Sequence, residues 1–412
     1  MRTVAARPLV TVLLLATAGL AAVGLAGCGK GGSEQLSGGG PARQLAPVAA
    51  QGAVSVATRN TTRLGGADVA ADAAAVARAV YPGLTVATRP LVAVLVNERD
   101  WLPALAASVL ASAPTGAPIL FSEGDTLPTV TRQTLEAMRP LGAPALGGAQ
   151  VIRIGTTAAV PDGYLTRTVP VGLPTVSAAN VERLVQTLDT GAPHQVIVLP
   201  AAGARALLMP AAGLAAESGA PLLFVTRARV PAPTANVLSA LHKPSIYVID
   251  AAEVGAQSLA ELRSLGSVET ITNAGPTTGE AEVQNAIEIA RYTHGSFGWG
   301  VKEPGHGLVF ANASRPLDGP ASALLSATGD YGPLLLLQSP TQVPPALAGY
   351  LSDVEPAYST PQFPPVRGAY NHGWLIGGEE AISVVTQAEI DSVLEIRSQD
   401  RTSEEPSVSQ VE

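Results

Sequence analysis

The feature that most constrains the fold is a pattern of apolar strand, small-residue helix and apolar strand that occurs three times along the chain. In each occurrence a proline precedes the second apolar run, and these prolines are Pro118, Pro221 and Pro333. A third apolar run closes each occurrence. Short continuous apolar runs are typical of strands that are buried on both faces of a parallel sheet. The chain therefore divides into three similar units.

Helix-forming segments lie between these strands and before the first strand of each unit. Strands that alternate with helices form βαβ units, whose right-handed crossovers place helices on both faces of a parallel sheet. The sequence therefore predicts an α/β fold of three tandem Rossmann-like βαβ modules with short parallel sheets. The predicted strands are 92–96, 116–121, 151–155, 196–199, 219–224, 246–250, 307–311, 331–337 and 374–378. The predicted helices include the opening helices 67–80, 177–188 and 279–292, and the later helices 102–111 and 130–138.

The first residues have the features of an export signal. Arg2 and Arg7 form a positive start, and the apolar run that follows ends in Leu25-Ala26-Gly27-Cys28. This tetrapeptide resembles a bacterial lipobox, which implies cleavage before Cys28 and lipidation of this residue, the only cysteine of the chain. Two acyl chains on one residue anchor a protein stably in a membrane. The alternative is an uncleaved spanning helix, which needs about 20 apolar residues.

Three segments are expected to lie outside the folded modules. Residues 1–27 are the predicted lipoprotein signal peptide, and residues 28–52 form a lipidated flexible linker that is rich in Gly, Ser and Pro. Such a composition is typical of a flexible tether. Residues 397–412 are polar and acidic, and we expect them to form a disordered tail.

The charge of the chain excludes one class of partner. The chain has 25 Lys and Arg against 33 Asp and Glu, a net charge of −8, and it contains no run of basic residues. Nucleic-acid binding draws much of its affinity from clustered basic residues, so no nucleic acid is expected as a partner. A single cysteine also excludes a disulfide-stapled scaffold. None of these patterns fixes the oligomeric state.

Residues of the first unit resemble a known family of repeats. The segments Thr62–Asp68 (TRLGGAD), Asn97–Trp101 (NERDW) and Gly116–Leu120 (GAPIL) are similar to the cell-wall-binding repeat type 2. Such repeats usually occur three in a row on surface proteins of Gram-positive bacteria. The resemblance implies Rossmann-like modules around a pseudo-threefold axis that attach non-covalently to an anionic secondary polymer of the cell wall.

The resemblance extends over nearly the whole chain after the linker. It implies a first repeat at 53–160, a diverged second repeat at 161–266 and a diverged third repeat at 267–396 with aromatic loop insertions. The chain departs from the family pattern at the acid that often opens the second helix of a repeat. This position is Pro103 in the first unit and Arg205 in the second, and only the third unit keeps an acid, Asp318.

No catalytic or metal-binding pattern stands out in the sequence. The five histidines form no His-Glu-x-x-His, and neither Gly-x-Ser-x-Gly nor Ser-x-x-Lys occurs. No dinucleotide-binding fingerprint follows any first strand, and a Rossmann-like fold alone does not define a function. We therefore expect no enzymatic activity, no metal and no cofactor.

Two groups of residues are candidates for binding a ligand. Arg59 and Arg63 precede a Gly pair at the start of a helix, where anions bind well. The acids Asp68 and Asp318 occupy positions that the family pattern emphasises. Tyr370 and His372 belong to an aromatic-rich region of the third unit. The alternative is structural: the arginines are then solvated at the edge of a domain, and the rings cap the core and fill gaps between units.

Taken together, the sequence predicts a non-enzymatic lipoprotein of the cell envelope. Its membrane partner is expected to act through the N-terminal diacylglycerol-cysteine, and its other partner is a cell-wall polysaccharide or anionic secondary polymer. The protein would thus tether the membrane to the wall. Two alternatives remain open: a solute-binding lipoprotein of an ABC transporter, which usually has two lobes, and an envelope hydrolase.

Overall fold

The computed structural model describes residues 54–188, 193–273, 279–327, 332–358 and 370–398. The chain separates into the units Met1–Val48 and Ala49–Glu412, and all described residues belong to the second unit. The predicted signal peptide, Cys28 and nearly all of the predicted tail lie outside the described residues. In the described ranges, no helix has both the length and the apolar character that crossing a membrane requires.

Strands and helices alternate along most of the described chain. The strands are β1 (Val54–Ala57), β2 (Thr61–Gly65), β3 (Ala93–Asn97), β4 (Ile119–Ser122), β5 (Val151–Ile154), β6 (Thr166–Val169), β7 (Gln195–Pro200), β8 (Leu222–Val225), β9 (Ser245–Val248), β10 (Ser267–Thr270), β11 (Gly307–Asn312), β12 (Leu334–Leu337), β13 (Ala357–Tyr358), β14 (His372–Ile376) and β15 (Arg397–Ser398). The α-helices are α1 (Val69–Val80), α2 (Trp101–Ala107), α3 (Thr129–Met138), α4 (Pro174–Leu188), α5 (Arg205–Leu208), α6 (Ala211–Ser218), α7 (Ala232–Ala240), α8 (Ala251–Val254), α9 (Ala256–Leu265), α10 (Ala281–Arg291), α11 (Asp318–Ala327), α12 (Pro345–Asp353) and α13 (Val384–Val393).

Three sheets organise the molecule, and each corresponds to one predicted module. Their strand orders are β4-β3-β5-β6 in the first module, β10-β9-β7-β8 in the second and β1-β2-β14-β11-β12 in the third. All neighbouring strands in these sheets are parallel except β1 and β2, which form an antiparallel hairpin. A further pair, β13 and β15, is parallel. The prediction of an α/β fold with three short parallel sheets is confirmed.

One strand of each sheet comes from the segment that opens the next unit. β6 lies beyond residue 160 and pairs with β5, and β10 lies beyond residue 266 and pairs with β9. In the same way β2, at the start of the first unit, pairs with β14 of the third module, with Thr62 opposite Trp374. The three modules are thereby joined into a closed ring. None of these strands was predicted. The repeat boundaries drawn from the sequence stay predictions, but the hydrogen bonding of the sheets runs across them.

Three helices occupy the centre of the ring. α2, α6 and α11 each pack against the other two, and a 3-10 helix at Ser108–Ala111 continues α2. Every residue of α11 is buried. A Cβ at Gly213 of α6 would lie 2.7 Å from the Oγ of Ser326 of α11, so these two helices approach each other too closely for a larger residue. This arrangement agrees with the pseudo-threefold packing that the resemblance implied.

The opening helices join neighbouring modules. α1 packs against β4 and α3 of the first module and also against α11 of the third, while α4 contacts α2 and β8, and α10 contacts α5 and β12. α1 is rich in alanine, which favours the helix, and Asp68 caps its start by accepting a hydrogen bond from the Ala71 amide at 2.9 Å. A continuous buried apolar cluster runs from Leu64 to Ile376 through all three modules.

Candidate functional site

The candidates Arg63, Asp68 and Asp318 lie toward the carboxyl ends of β2 and β11, whereas Arg59 precedes β2 at its amino end. From β11 the chain continues to β12 on one side of the sheet, and it then crosses to β14 on the other side of β11. The direction of strand addition therefore reverses between β11 and β14. A crevice at such a point is the usual ligand-binding position in an open α/β sheet. In this molecule the same position is where α1 of the first module packs against α11 of the third.

Arg315 occupies this junction, surrounded by carboxylates. Its Nε donates to Asp318 Oδ2 at 2.8 Å, its Nη2 pairs with Asp72, and its Nη1 lies 3.8 Å from Glu380 Oε1. The side chains of Asp72 and Asp318 are fully buried, and that of Arg315 is mostly buried. The second oxygen of Asp318, Oδ1, is buried and has no hydrogen-bond partner. We call Asp72, Arg315 and Asp318 the junction triad.

Burial decides the protonation of the triad. It raises the pKa of Asp318 to about 8, assisted by the negative charge of Asp72 and opposed by Arg315. Burial also raises the pKa of Asp72, to about 6, and Arg315 opposes this shift too. Both acids therefore bind a proton more readily than free carboxyl groups do, because burial penalises their charged forms and Arg315 offsets this penalty only in part.

The Gly pair that was predicted to favour an anion already has an internal partner. The Gly66 amide donates to Asp72 Oδ1 at 2.8 Å. A Cβ at Gly65 would lie 2.5 Å from the backbone of Gly377, because β2 and β14 end side by side there. A carboxylate of the protein itself thus occupies the helix start at which an external anion was expected.

The remaining charged candidates also make bonds within the protein. Arg63 is buried, and its Nη1 donates to the carbonyl oxygens of Gly377 at 3.0 Å and Gly378 at 2.8 Å. Burial lowers the pKa of the Arg63 guanidinium. Arg59 is exposed and forms an ion pair with Glu395. The structure therefore separates the two arginines, and a ligand role for either stays a prediction.

Tyr370 and His372 lie at the other edge of the third sheet, where its parallel strands begin. His372 pairs with Gly307 in register, its Nε2 is 3.1 Å from Thr62 Oγ1, and its ring meets Trp374 edge-on. Tyr370 is 56% exposed. These two residues are therefore separated from the junction triad by the length of the sheet, and they do not form one site with it.

The other aromatic cluster of the third unit is part of the core. Phe297 is fully buried and stacks on Tyr247 of β9 with a centroid distance of 3.6 Å. Tyr292 packs edge-on against both rings, and His294 Nδ1 lies 3.3 Å from the Tyr247 hydroxyl. This insertion thus fills the gap between the second and third modules. Of the second insertion, residues 359–369 lie outside the described residues.

Each of the other two junctions has a buried polar residue at the corresponding place in its opening helix. In α4 this residue is Ser177, whose Oγ accepts from the Gly172 amide at 3.1 Å. In α10 it is Asn285, whose Nδ2 donates to the Leu207 carbonyl oxygen at 2.7 Å. Both are neutral, so only the junction of the first and third modules places a buried charge at this position.

A polar pocket of about 420 Å³ lies at the carboxyl end of β10, beside α10. Asn285 lines it, and the buried Oδ1 of this residue has no hydrogen-bond partner. The rest of the lining mixes polar and apolar residues. The polar ones are Thr270, Thr272, Asn273, Gln284 and Glu288, and the apolar ones are Ile271 and Ala281. Such a lining offers donors and acceptors to a neutral polar ligand.

The groups at these places can form ion pairs and can donate and accept hydrogen bonds. Arg315 holds both carboxyl groups of the junction triad within the protein, and the buried Asp318 Oδ1 is left without a hydrogen-bond partner. In the part of the chain that the structure describes, no three His, Cys, Asp or Glu side chains are grouped so that they could hold a metal ion.

Three residues that matter at these junctions were not among the sequence-based candidates, namely Asp72, Arg315 and Asn285. Asp72 lies inside an alanine-rich helix and Arg315 inside a loop, and no motif marks either one. The available signal was a polar residue at the fourth or fifth position of each opening helix, on the face that otherwise carries Ala and Val.

Comparison with protein families matches residues 63–165 to the family described as Cell wall binding domain 2 (CWB2). The resemblance of this part of the chain to cell-wall-binding repeats is thereby confirmed. No curated protein matches the chain.

Two solved structures share the architecture. Cwp6 from Clostridium difficile matches with a TM-score of 0.60 and 18% identity over 83% of this chain and 51% of its own. Cwp8 from Clostridium difficile matches with a TM-score of 0.60 and 15% identity over 82% of this chain and 53% of its own. This chain thus spans about half the length of each. At this identity the likeness shows the fold.

Proposed function

We propose that this protein attaches non-covalently to an anionic polymer of the cell wall, and that an acylated Cys28 holds its other end in the membrane. The observation that carries the proposal is the Cell wall binding domain 2 at residues 63–165, set in a ring of three modules whose architecture recurs in two cell-wall proteins. The lipobox at Leu25-Ala26-Gly27-Cys28 supports the membrane end.

The polar pocket beside α10 is where we propose that the polymer makes contact. Its amides and hydroxyls suit the hydroxyl groups of a sugar, and the unpartnered Asn285 Oδ1 can accept a hydrogen bond there. Glu288 is the one acid of the lining, and burial raises its pKa, so the contact with an anionic polymer rests on the neutral amide and hydroxyl groups beside it.

The architecture supports this proposal over the two alternatives. A solute-binding lipoprotein usually has two lobes with a cleft between them, whereas this chain has three sheets around three central helices. A hydrolase would need an accessible catalytic group. The buried acids of the junction triad are held by Arg315 instead.

Co-sedimentation with purified cell walls tests the wall-binding end. We expect residues 29–412, which include the whole compact unit Ala49–Glu412, to pellet with untreated walls and to stay in solution with walls stripped of secondary polymers by acid. Equal recovery in the supernatant with both kinds of wall would refute wall binding. Mass spectrometry of the native protein tests the membrane end, through a diacylglyceryl group on Cys28.

Substitution of exposed pocket residues tests the contact site. Asn273→Ala with Gln284→Ala removes two exposed amides from the pocket, and we expect several-fold less protein to pellet with untreated walls. The control is Gln133→Ala with Asn236→Ala, which removes the same two residue types from exposed positions of α3 and α7. An equal effect of both pairs would place the contact elsewhere.

A further inference from the structure

The amino-terminal edge of the first sheet, where its parallel strands begin, carries apolar side chains that no described part of the chain covers. Leu84 and Val86, in the loop after α1, are 81% and 66% exposed, while Leu141 and Leu165 are 44% and 57% exposed. These are four of the ten large hydrophobic side chains that are exposed among the described residues. Exposed apolar side chains that gather in one region mark interaction surfaces.

Hydrogen bonds hold the loops of this edge together as one surface. Arg139, at the end of α3, donates from Nη2 to the Gly83 carbonyl oxygen at 2.6 Å. The Gln150 side chain donates to the Pro140 carbonyl oxygen at 2.9 Å and accepts from the Leu165 amide at 3.3 Å. The exposed aliphatic side chains therefore lie on neighbouring, mutually anchored loops rather than on independent ones.

Cations accompany these apolar side chains. Arg78 and Arg139 are exposed at the ends of α1 and α3, and Arg89 is partly exposed in the loop between them. Two acids lie close by in sequence, Glu136 on α3 and Asp162 before β6. The charge of the surface is therefore positive by one unit, while the chain as a whole is acidic.

We propose that this surface binds the headgroup region of an anionic phospholipid membrane, with the aliphatic side chains inserted and the arginines at the phosphates. Arginines around an exposed apolar group are the combination that adsorbs to such membranes. We call it the amino-edge patch; its members are Leu84, Val86, Leu141 and Leu165 with Arg78, Arg89 and Arg139.

This proposal rests on the proposed function in one respect: the lipid anchor sets the local concentration of the protein at the membrane. A short flexible tether raises the effective concentration of an attached domain to about the millimolar range. A weak surface contact is then sufficient to hold the first module against the membrane. The pocket beside α10 belongs to another module, so the two contacts do not compete for the same residues.

Vesicle co-sedimentation tests the proposal with the unacylated chain of residues 29–412. We expect it to pellet with vesicles of equal parts phosphatidylglycerol and phosphatidylcholine at millimolar lipid, and to remain in solution with pure phosphatidylcholine or at high salt. Leu84→Ser with Val86→Ser should lower the bound fraction several-fold. The matched control is Val384→Ser with Val385→Ser, an exposed pair at the start of α13, which should leave binding unchanged.

Three results would overturn the proposal. The first is that the native chain shows no preference for anionic vesicles. The second is that the control pair lowers binding as much as the patch pair, with both variants melting at the native temperature. The third is that Leu84→Ser with Val86→Ser abolishes pelleting with cell walls, or changes the mass of the free protein in solution. The patch would then bind the wall polymer or a second copy of the chain. Wall binding by the native protein is measured in a separate experiment. A failure to bind anionic vesicles would therefore not contradict the proposed wall binding.

Discussion

The junction between the first and third modules and the junction between the second and third modules meet the same packing requirement with different chemistry. Both place a buried polar side chain of an opening helix against the segment that leads into a central helix. In α1 this residue is Asp72, which pairs with Arg315, and in α10 it is Asn285, which donates to the Leu207 carbonyl oxygen.

The difference between the two junctions separates the need for a hydrogen-bonding side chain from the need for a charge. The ring requires a hydrogen-bonding side chain at this position, because the neighbouring backbone or side-chain groups would otherwise be buried without partners. It does not require a charge, since Asn285 and Ser177 fill the position in the other two junctions. The charged version brings a desolvation penalty and a dependence on pH that the neutral versions lack.

Removing the cation should have the largest effect. Arg315→Met leaves Asp72 and Asp318 buried beside each other without a counter-charge, and breaking a buried pair in this way costs about 3–5 kcal/mol of stability. Urea unfolding measures the loss. Arg227→Met is the matched control, because its pair with Glu253 is exposed and such pairs contribute about 0–1 kcal/mol. Similar losses in the two variants would show that the triad does not stabilise the ring.

The charged junction should also make stability depend on pH. Burial raises the pKa of Asp72 to about 6 and that of Asp318 to about 8, above the values in an unfolded chain. The folded state therefore holds these protons more tightly, so the stabilisation is complete below about pH 4 and is lost as the pH rises through 6 and 8, with a slope of at most about 1.4 kcal/mol per pH unit for each proton.

Asp318→Asn isolates this contribution, since an amide replaces the protonated acid at nearly the same size. We expect the urea midpoint of the native chain to fall between pH 6 and pH 9 and that of the variant to fall less over the same range. Parallel curves for the two proteins would mean that Asp318 does not titrate in this window.

Adding a negative charge at the junction of the second and third modules should also destabilise the protein, because that junction has no cation to pair with it. Asn285→Asp introduces a carboxyl group where no arginine is in contact, and Glu288 on the same helix adds a further negative charge. We expect about 2 kcal/mol less stability at pH 8, the order expected for an uncompensated buried polar group, and recovery toward the native value near pH 5. A loss that is equal at both pH values would point to packing rather than charge.

The smallest effect is expected at the third junction. Ser177→Ala removes the acceptor of the Gly172 amide and should cost about 1 kcal/mol, without dependence on pH. Ser264→Ala, at an exposed position near the end of α9, is the control and should change stability by less than this. Thermal unfolding at pH 6 and pH 8 distinguishes this neutral loss from the losses at the charged junction.

The apolar strands were predictable because their signal is local. The predicted strand at 92–96 corresponds to β3 at Ala93–Asn97, and that at 151–155 corresponds to β5 at Val151–Ile154. A strand buried on both faces must be apolar along its length, so the sequence records its position without reference to any partner.

The strands that exchange between units were not predictable in the same way. β6 has the sequence Thr-Arg-Thr-Val, in which Arg167 and Thr168 are exposed, because it lies at an edge of its sheet. β10 is likewise half-exposed at the edge of the second sheet. Such a strand needs no apolar run, and its position depends on a neighbour that supplies backbone hydrogen bonds.

The candidate ligand residues show the same contrast between local sequence signals and partners that lie far away in the chain. The sequence singled out Arg63 and Asp318 as candidate ligand residues, and a ligand role for either stays a prediction. The sequence could not show that Arg63 donates to the carbonyl oxygens of Gly377 and Gly378, or that Asp318 meets Arg315. These partners are set by the packing of α1 and β2 against the third module, which no local pattern records.

By itself, the sequence determined the number of modules, their parallel α/β character and the order of most strands and helices, because apolar runs and alanine-rich helices are local properties of the chain. The pairing of β2 with β14, more than 300 residues away, follows from the packing of the first module against the third. The same packing brings Asp72 and Asp318 to Arg315, because α1 and α11 come from opposite ends of the chain and no local pattern records their contact.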